Sequence, residues 1–144
     1  MRKQILIICI YIGELPWYFK FFLKSFSFNK DIDFLILCDQ DMTSKGISNN
    51  IKIKRYDLQD FKKDVHRSLN INTPIQNGYK LCDFKPAYGY IFSRYIEGYD
   101  FWGYWFCLSS VSFSFHLFII GSQNRFLRIR WMLKSGIIRW IVRT

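Results

Sequence analysis

Two apolar runs, QILIICIYI at residues 4–12 and IDFLILC at residues 32–38, most constrain what this chain can fold into. Both are rich in β-branched residues and lack polar alternation, the pattern of strands covered on both faces. Between them Gly13-Glu14-Leu15-Pro16 breaks the first run, and Pro16 suits a first helical position. Phe19, Phe22, Leu23 and Phe26 then recur at helical spacing, with Lys20 and Lys24 on another face, to about Phe28. A strand, an amphipathic helix and a second strand in this order form a βαβ unit with parallel strands.

The pattern continues. Ile51–Tyr56 alternates Ile51 and Ile53 with Lys52 and Lys54, as a short half-exposed strand does. Asp57 is placed to cap a helix whose stripe is Leu58, Phe61, Val65 and Leu69, with Asp60, Lys62, Lys63, Asp64, His66 and Arg67 outside. After a loop over 70–78, Asp83 can cap a further helix with Pro86 in its first turn and a stripe of Phe84, Tyr88, Ile91, Phe92 and Tyr95. Gly89 in its middle costs about 1 kcal/mol relative to Ala, which points to a close backbone neighbour or a ligand. Glu97-Gly98 makes a turn, and Asp100–Tyr104 opens a fourth strand.

Beyond Tyr104 the chain changes character. At 144 residues it has the size of one domain, and its net charge of +10 is unevenly placed. All eleven acids fall between Glu14 and Asp100, while Arg125, Arg128, Arg130, Lys134, Arg139 and Arg143 follow with no acid among them. Residues 101–124 contain no Asp, Glu, Lys or Arg, and WFCLSSVSFSFHLFII lacks both alternation and a helical polar face. By composition this stretch is a weak membrane-span candidate with a basic flank. Basic residues interleaved with Trp and Phe also attract phosphates, but no nucleic-acid fold signature accompanies them, so no specific nucleic-acid partner is expected.

Cys9, Cys38, Cys82 and Cys107 form no CxxC motif and no Cys/His cluster, which argues against zinc and against a disulfide framework. Arg2 and Lys3 precede an apolar run too short for a signal peptide and without a small-residue cleavage site. The expected location is cytoplasmic, at the inner face of the membrane if the tail associates there.

The run YKLCDFKPAYGYIFSRYIEGYDFWGY at 79–104 resembles the central motif of a bacterial family of uncharacterised, glycosyltransferase-like proteins, and the opening strand with G-x-L-P and IDFLILCD resembles that family's start. The resemblance covers residues 1–104. It implies a GT-A-like fold: an α/β class, partial Rossmann-like and mostly parallel sheet with flanking helices, binding a nucleotide sugar for surface polysaccharide synthesis. In that family the aromatic strand leads into an Asp-x-Asp element, because two carboxylates at a strand end can hold Mg²⁺ or Mn²⁺ against a diphosphate. Here Trp105, Phe106, Cys107 and Leu108 stand in that place, and no acid follows. A full-length relative would use Mg or Mn; for this chain neither a metal nor a catalytic residue is assigned.

Residues 1–104 are therefore expected to be the N-terminal half of a nucleotide-sugar-binding domain, and 105–144 an irregular or helical tail. Either the chain is a truncated, inactive transferase relative whose tail comes from another reading frame, or the tail is a genuine anchor of a small non-catalytic membrane-associated module. The sheet edge left by the lost half is expected to be poorly covered. The candidate nucleotide-sugar-binding residues are Tyr11 and Gly13 past the first strand, Asp39 past the second, and Asp83 and Lys85 at the third helix. A Tyr can stack on a base, a Gly admits close approach, an acid can bond ribose hydroxyls, and a lysine at a helix start can face a diphosphate. Each also has an ordinary account: core-edge ring, turn, solvated turn acid, cap and surface lysine.

Overall fold

The computed structural model describes residues 4–42, 46–105, 117–121, 126–134 and 137–143. Four parallel strands form the first part of the sheet: β1 (Ile5–Tyr11), β2 (Ile32–Cys38), β3 (Ile51–Arg55) and β4 (Phe101–Trp105), in the order β3-β2-β1-β4. The fold is thus α/β, with the two apolar runs as the central pair, Ile5 against Ile32 through Tyr11 against Cys38.

Alternate residues of β1 feed two cores, because successive side chains of a strand point to opposite faces. Ile5, Ile7 and Cys9 pack with Phe19 and Phe26 of α1 (Phe19–Phe28), and Phe26 stacks on Phe34 of β2 with ring centroids 4.1 Å apart. Leu6 and Ile8 pack on the other face with Phe61 and Val65 of α2 (Leu58–Leu69) and with Leu81, Tyr88, Ile91 and Phe92 beyond it. Asn50, just before β3, is buried, and its amide Nδ2 donates to the carbonyls of Phe26, Asn29 and Ile32 at 3.0–3.1 Å, tying the α1–β2 turn to β3.

Local chemistry explains where the elements begin and break. Asp57 caps α2 in a reciprocal box with Asp60, each side chain accepting the other residue's N–H. Pro16 lies ahead of α1, with its carbonyl accepting the Phe19 N–H at 2.9 Å. The third helix differs from its expected form. Gly78–Ala87 is a 3₁₀ helix capped by Asn77, whose Oδ1 accepts the Lys80 N–H. Two single turns follow, α3 (Tyr88–Ile91) and α4 (Ser93–Ile96), separated at Phe92. Pro86 removes an N–H and disfavours α geometry before it, so the tighter helix persists up to Ala87. The close neighbour of Gly89 is a side chain rather than the expected backbone or ligand: a Cβ there would lie 2.7 Å from Cζ2 of Trp102.

The C-terminal part corrects two expectations. The tail is neither irregular nor helical where it is described: β5 (Leu117–Gly121), β6 (Phe126–Lys134) and β7 (Ile137–Arg143) are antiparallel strands. β5 pairs along the whole of β4, Phe101 against Gly121 through Trp105 against Leu117, so the edge expected to be bare is covered. The sheet thereby reaches seven strands with β3 outermost on one side. Most of the suspected membrane span falls on residues 106–116, outside the described residues, and no helix among the described residues is long and apolar enough to cross a membrane.

Candidate functional site

In the strand order β3-β2-β1-β4 the chain builds outward on one side of β1 and then crosses to the other, so neighbouring strands β1 and β4 leave in opposite directions. In open α/β sheets a crevice forms there, beyond the carboxyl ends of the strands. β1 delivers Tyr11 to this edge. Gly13 follows with φ +119°.

Asp39, the first residue past β2, turns back toward β1. Both its carboxylate oxygens accept the Gly13 N–H, each at 3.1 Å, and the Gln40 side-chain amide donates to the Gly13 carbonyl at 2.9 Å. The peptide groups around Gly13 are thus clamped by two successive residues of the β2 loop. Tyr11 places its ring against Phe19, centroids 6.4 Å apart, on the α1 side. Three of the five candidate residues, Tyr11, Gly13 and Asp39, are gathered at one edge.

Asp83 and Lys85 sit elsewhere. Asp83 is not a cap; it is exposed and pairs with Lys80 at 3.6 Å, because Asn77 already starts the 3₁₀ helix. Lys85 reaches the opposite face of the sheet from Tyr11, with Nζ 6.0 Å from the ring centre of Tyr104 near the end of β4. Burial lowers the ammonium pKa of Lys85, opposed by a hydrogen bond and charge interaction with Cys82. Tyr104 also meets Tyr88, centroids 5.6 Å apart, and the Tyr88 hydroxyl donates to the Leu81 carbonyl at 3.0 Å. The helix after Lys85 has four residues, so no long dipole stands behind it.

Among the described residues, the two acids at this edge already have protein partners. Asp39 serves Gly13, while Asp41 makes a bidentate pair with Arg55 at 2.8 and 2.9 Å, so the two acids of Asp39-Gln40-Asp41 face different partners. Among the described residues no group of three or more His, Cys, Asp or Glu could hold a metal ion. Trp105, where the first acid of an Asp-x-Asp element would stand, is buried against Phe22 and Phe26 of α1 at 5.5 and 5.4 Å. Phe106, Cys107 and Leu108 lie outside the described residues.

Two features escaped sequence reasoning. Asp64 was expected on the outer face of α2, yet it is buried, accepting the Tyr56 hydroxyl at 2.9 Å and the guanidinium groups of Arg67 and Arg94 at 2.6 and 2.9 Å. Its signal is faint: Asp64 stands three residues after Phe61 and one before Val65, at the border of the apolar stripe. The second is an open depression of about 520 Å³ at the opposite edge of the sheet, lined by Lys30, Asp33, Ser48, Asn49 and Asn50. Lys30 donates to the Ser48 hydroxyl and Asp33 accepts the Tyr99 hydroxyl, while Oδ1 of Asn50 is buried without a hydrogen-bond partner. It lies away from the crevice edge and is not the candidate site.

No curated protein and no solved structure matches this chain. A family model described only as a family of unknown function, DUF6625, matches residues 7–107, which takes in all four parallel strands except the first residues of β1. That match spans more than half of the sequence, and the chain belongs to this family.

Proposed function

We propose that residues 1–104 are the nucleotide-facing half of a GT-A-like glycosyltransferase relative, binding the nucleoside diphosphate of a nucleotide sugar at the crevice edge between β1 and β4 without transferring the sugar. The observation that carries this reading is the strand order β3-β2-β1-β4 with its reversal between β1 and β4. The clamped Gly13 turn supplies backbone for close approach, and Lys85 beside Tyr104 supplies a cation and a ring near the β4 end. Asp39 acts here as the brace of that turn. Asp39 and Asp41 already have protein partners, so the reading assigns binding and no reaction.

The test is calorimetric titration of the purified full chain with uridine, guanosine, adenosine and thymidine diphosphates. One of them is expected to bind saturably, its nucleotide sugar to compete, and no sugar to be released with Mn²⁺ present. No saturable binding by any of the four overturns the reading, and Mn²⁺-dependent turnover overturns the inactive part of it. A truncated origin further requires that another frame of the gene beyond codon 104 encode an Asp-x-Asp strand.

A further inference from the structure

α1 is apolar on two sides. Its inner side packs Phe19, Phe22, Leu23 and Phe26 against the sheet. Its outer side carries Trp17, Lys20, Phe21, Lys24 and Phe28, which recur at i, i+3, i+4, i+7 and i+11 and therefore form one stripe. All five are exposed; Trp17, Phe21 and Phe28 retain 79%, 56% and 48% of their accessible surface. Trp17 lies in the turn before α1, and its ring meets Phe21 edge-on at 6.1 Å, while Nζ of Lys20 stands 5.5 Å from the Phe21 ring centre.

We infer that this outer face of α1 docks on an anionic lipid bilayer, with the three rings at the headgroup boundary and the two lysines against lipid phosphates. A surface helix that lies in the interface has this composition, with aromatic residues for the acyl boundary and cations reaching outward. Exposed aromatic groups clustered on one helix mark an interaction surface rather than scattered apolar residues. Charge decides the partner. Residues 15–30 contain Lys20, Lys24 and Lys30 and no Asp or Glu, so two copies of this face would bring lysine against lysine, whereas anionic lipid complements it.

Flotation of the full chain with vesicles tests it, using phosphatidylcholine alone and phosphatidylcholine mixed with phosphatidylglycerol. The chain is expected to float with the mixed vesicles only. Lys20→Glu/Lys24→Glu should weaken that binding by about tenfold or more, at roughly fivefold per cationic contact. Trp17→Ser/Phe21→Ser should weaken it to a similar degree, and because both side chains are exposed, circular dichroism should be unchanged. If the aromatic variant misfolds, the charge variant decides. Flotation unchanged in both variants would place lipid binding elsewhere, such as the basic tail, and overturn the inference. Failure of the wild-type chain to float, or a dimer that only the aromatic substitutions dissociate, would overturn it as well.

Discussion

Asp39 holds the Gly13 N–H with both carboxylate oxygens, each at 3.1 Å, joining two loops that are 26 residues apart in sequence. A carboxylate in this role fixes the geometry of the β1 turn. Asp39→Ala should therefore cost about 1 kcal/mol, the usual net value of one hydrogen bond, since the site is exposed to water. Urea unfolding measures this. Nucleoside diphosphate affinity should fall further than stability does, because the freed Gly13 turn must be reordered on binding.

Gly89→Ala gives a test of sign. In an unencumbered helix the change stabilises by about 1 kcal/mol. Here the added carbon would stand 2.7 Å from the buried Trp102 ring, so a loss of about 1–3 kcal/mol is expected. Introducing Trp102→Leu alongside it should make the alanine cost smaller than in the wild-type background, as thermal unfolding of the four-member cycle will show.

Asp64 is the charged hub between α2 and α4. Its side chain is 5% exposed, while Arg67 and Arg94 are 55% and 45% exposed, so the burial cost falls mainly on the acid. Asp64→Ala leaves the Tyr56 hydroxyl and both guanidinium groups without their acceptor, and about 2–4 kcal/mol should be lost. Arg67→Ala should cost under about 1 kcal/mol, because Arg94 still pairs the acid and Arg67 is half in water. Chemical denaturation separates the two.

Alkaline pH should unfold this protein through its tyrosines. Burial, and then the hydrogen bond to Asp33, push the Tyr99 hydroxyl up to about 12. Burial first, and then Asp64, raise Tyr56, and burial raises Tyr88. A folded pKa above the unfolded one means that the native state holds its proton more tightly, so this stability is whole below about pH 10. It should drain away as pH rises from about 10 to 12 and beyond, with a slope of up to about 1.4 kcal/mol per pH unit for each tyrosine. Denaturation curves at stepped pH read the effect, and Tyr56→Phe should flatten it.

Lys85→Met should separate stability from binding. Burial lowers the Lys85 pKa, so the charged amine is a burden on the fold at neutral pH, one that lifts as pH rises past the unfolded lysine value. The variant should be at least as stable as the wild type in urea. If Lys85 faces a diphosphate, the same variant loses nucleotide affinity by about tenfold or more, as titration will report.

Periodicity was enough for the parallel half of the fold. IDFLILC became β2 over Ile32–Cys38, and Asp57 caps α2 as its position required. Such signals are local, set by the strand and helix repeats and by one side chain's reach to the nearest N–H. Asp64 was not legible because its burial depends on Tyr56 and Arg94, brought from 8 and 30 residues away. The 3₁₀ helix was missed for another reason, since Asp83 and Asn77 are both competent caps and only the backbone around Pro86 selects between them. In the tail, Leu127-Arg128-Ile129-Arg130 alternates with strand period, but the uncharged run before it drew attention toward helices and membranes. The gathering of Tyr11, Gly13 and Asp39 follows from parallel strand register; the position of Lys85 does not, as it depends on how the 3₁₀ helix packs.

The outermost strand sets the direction in which such a sheet can grow. β3 is five residues long and presents Lys52, Lys54 and Arg55 to solvent. An incoming strand at that border would have to seat its backbone beside Lys52 and Lys54, with only Arg55 matched by an acid, Asp41. Recruitment is thereby one-sided: the β4 border accepts β5, and through it any further strand, while the β3 border turns neighbours away. A lineage that elaborates or loses segments after β4 can do so without disturbing β1, β2 and β3, because the boundary it edits lies across the sheet from the one that is sealed.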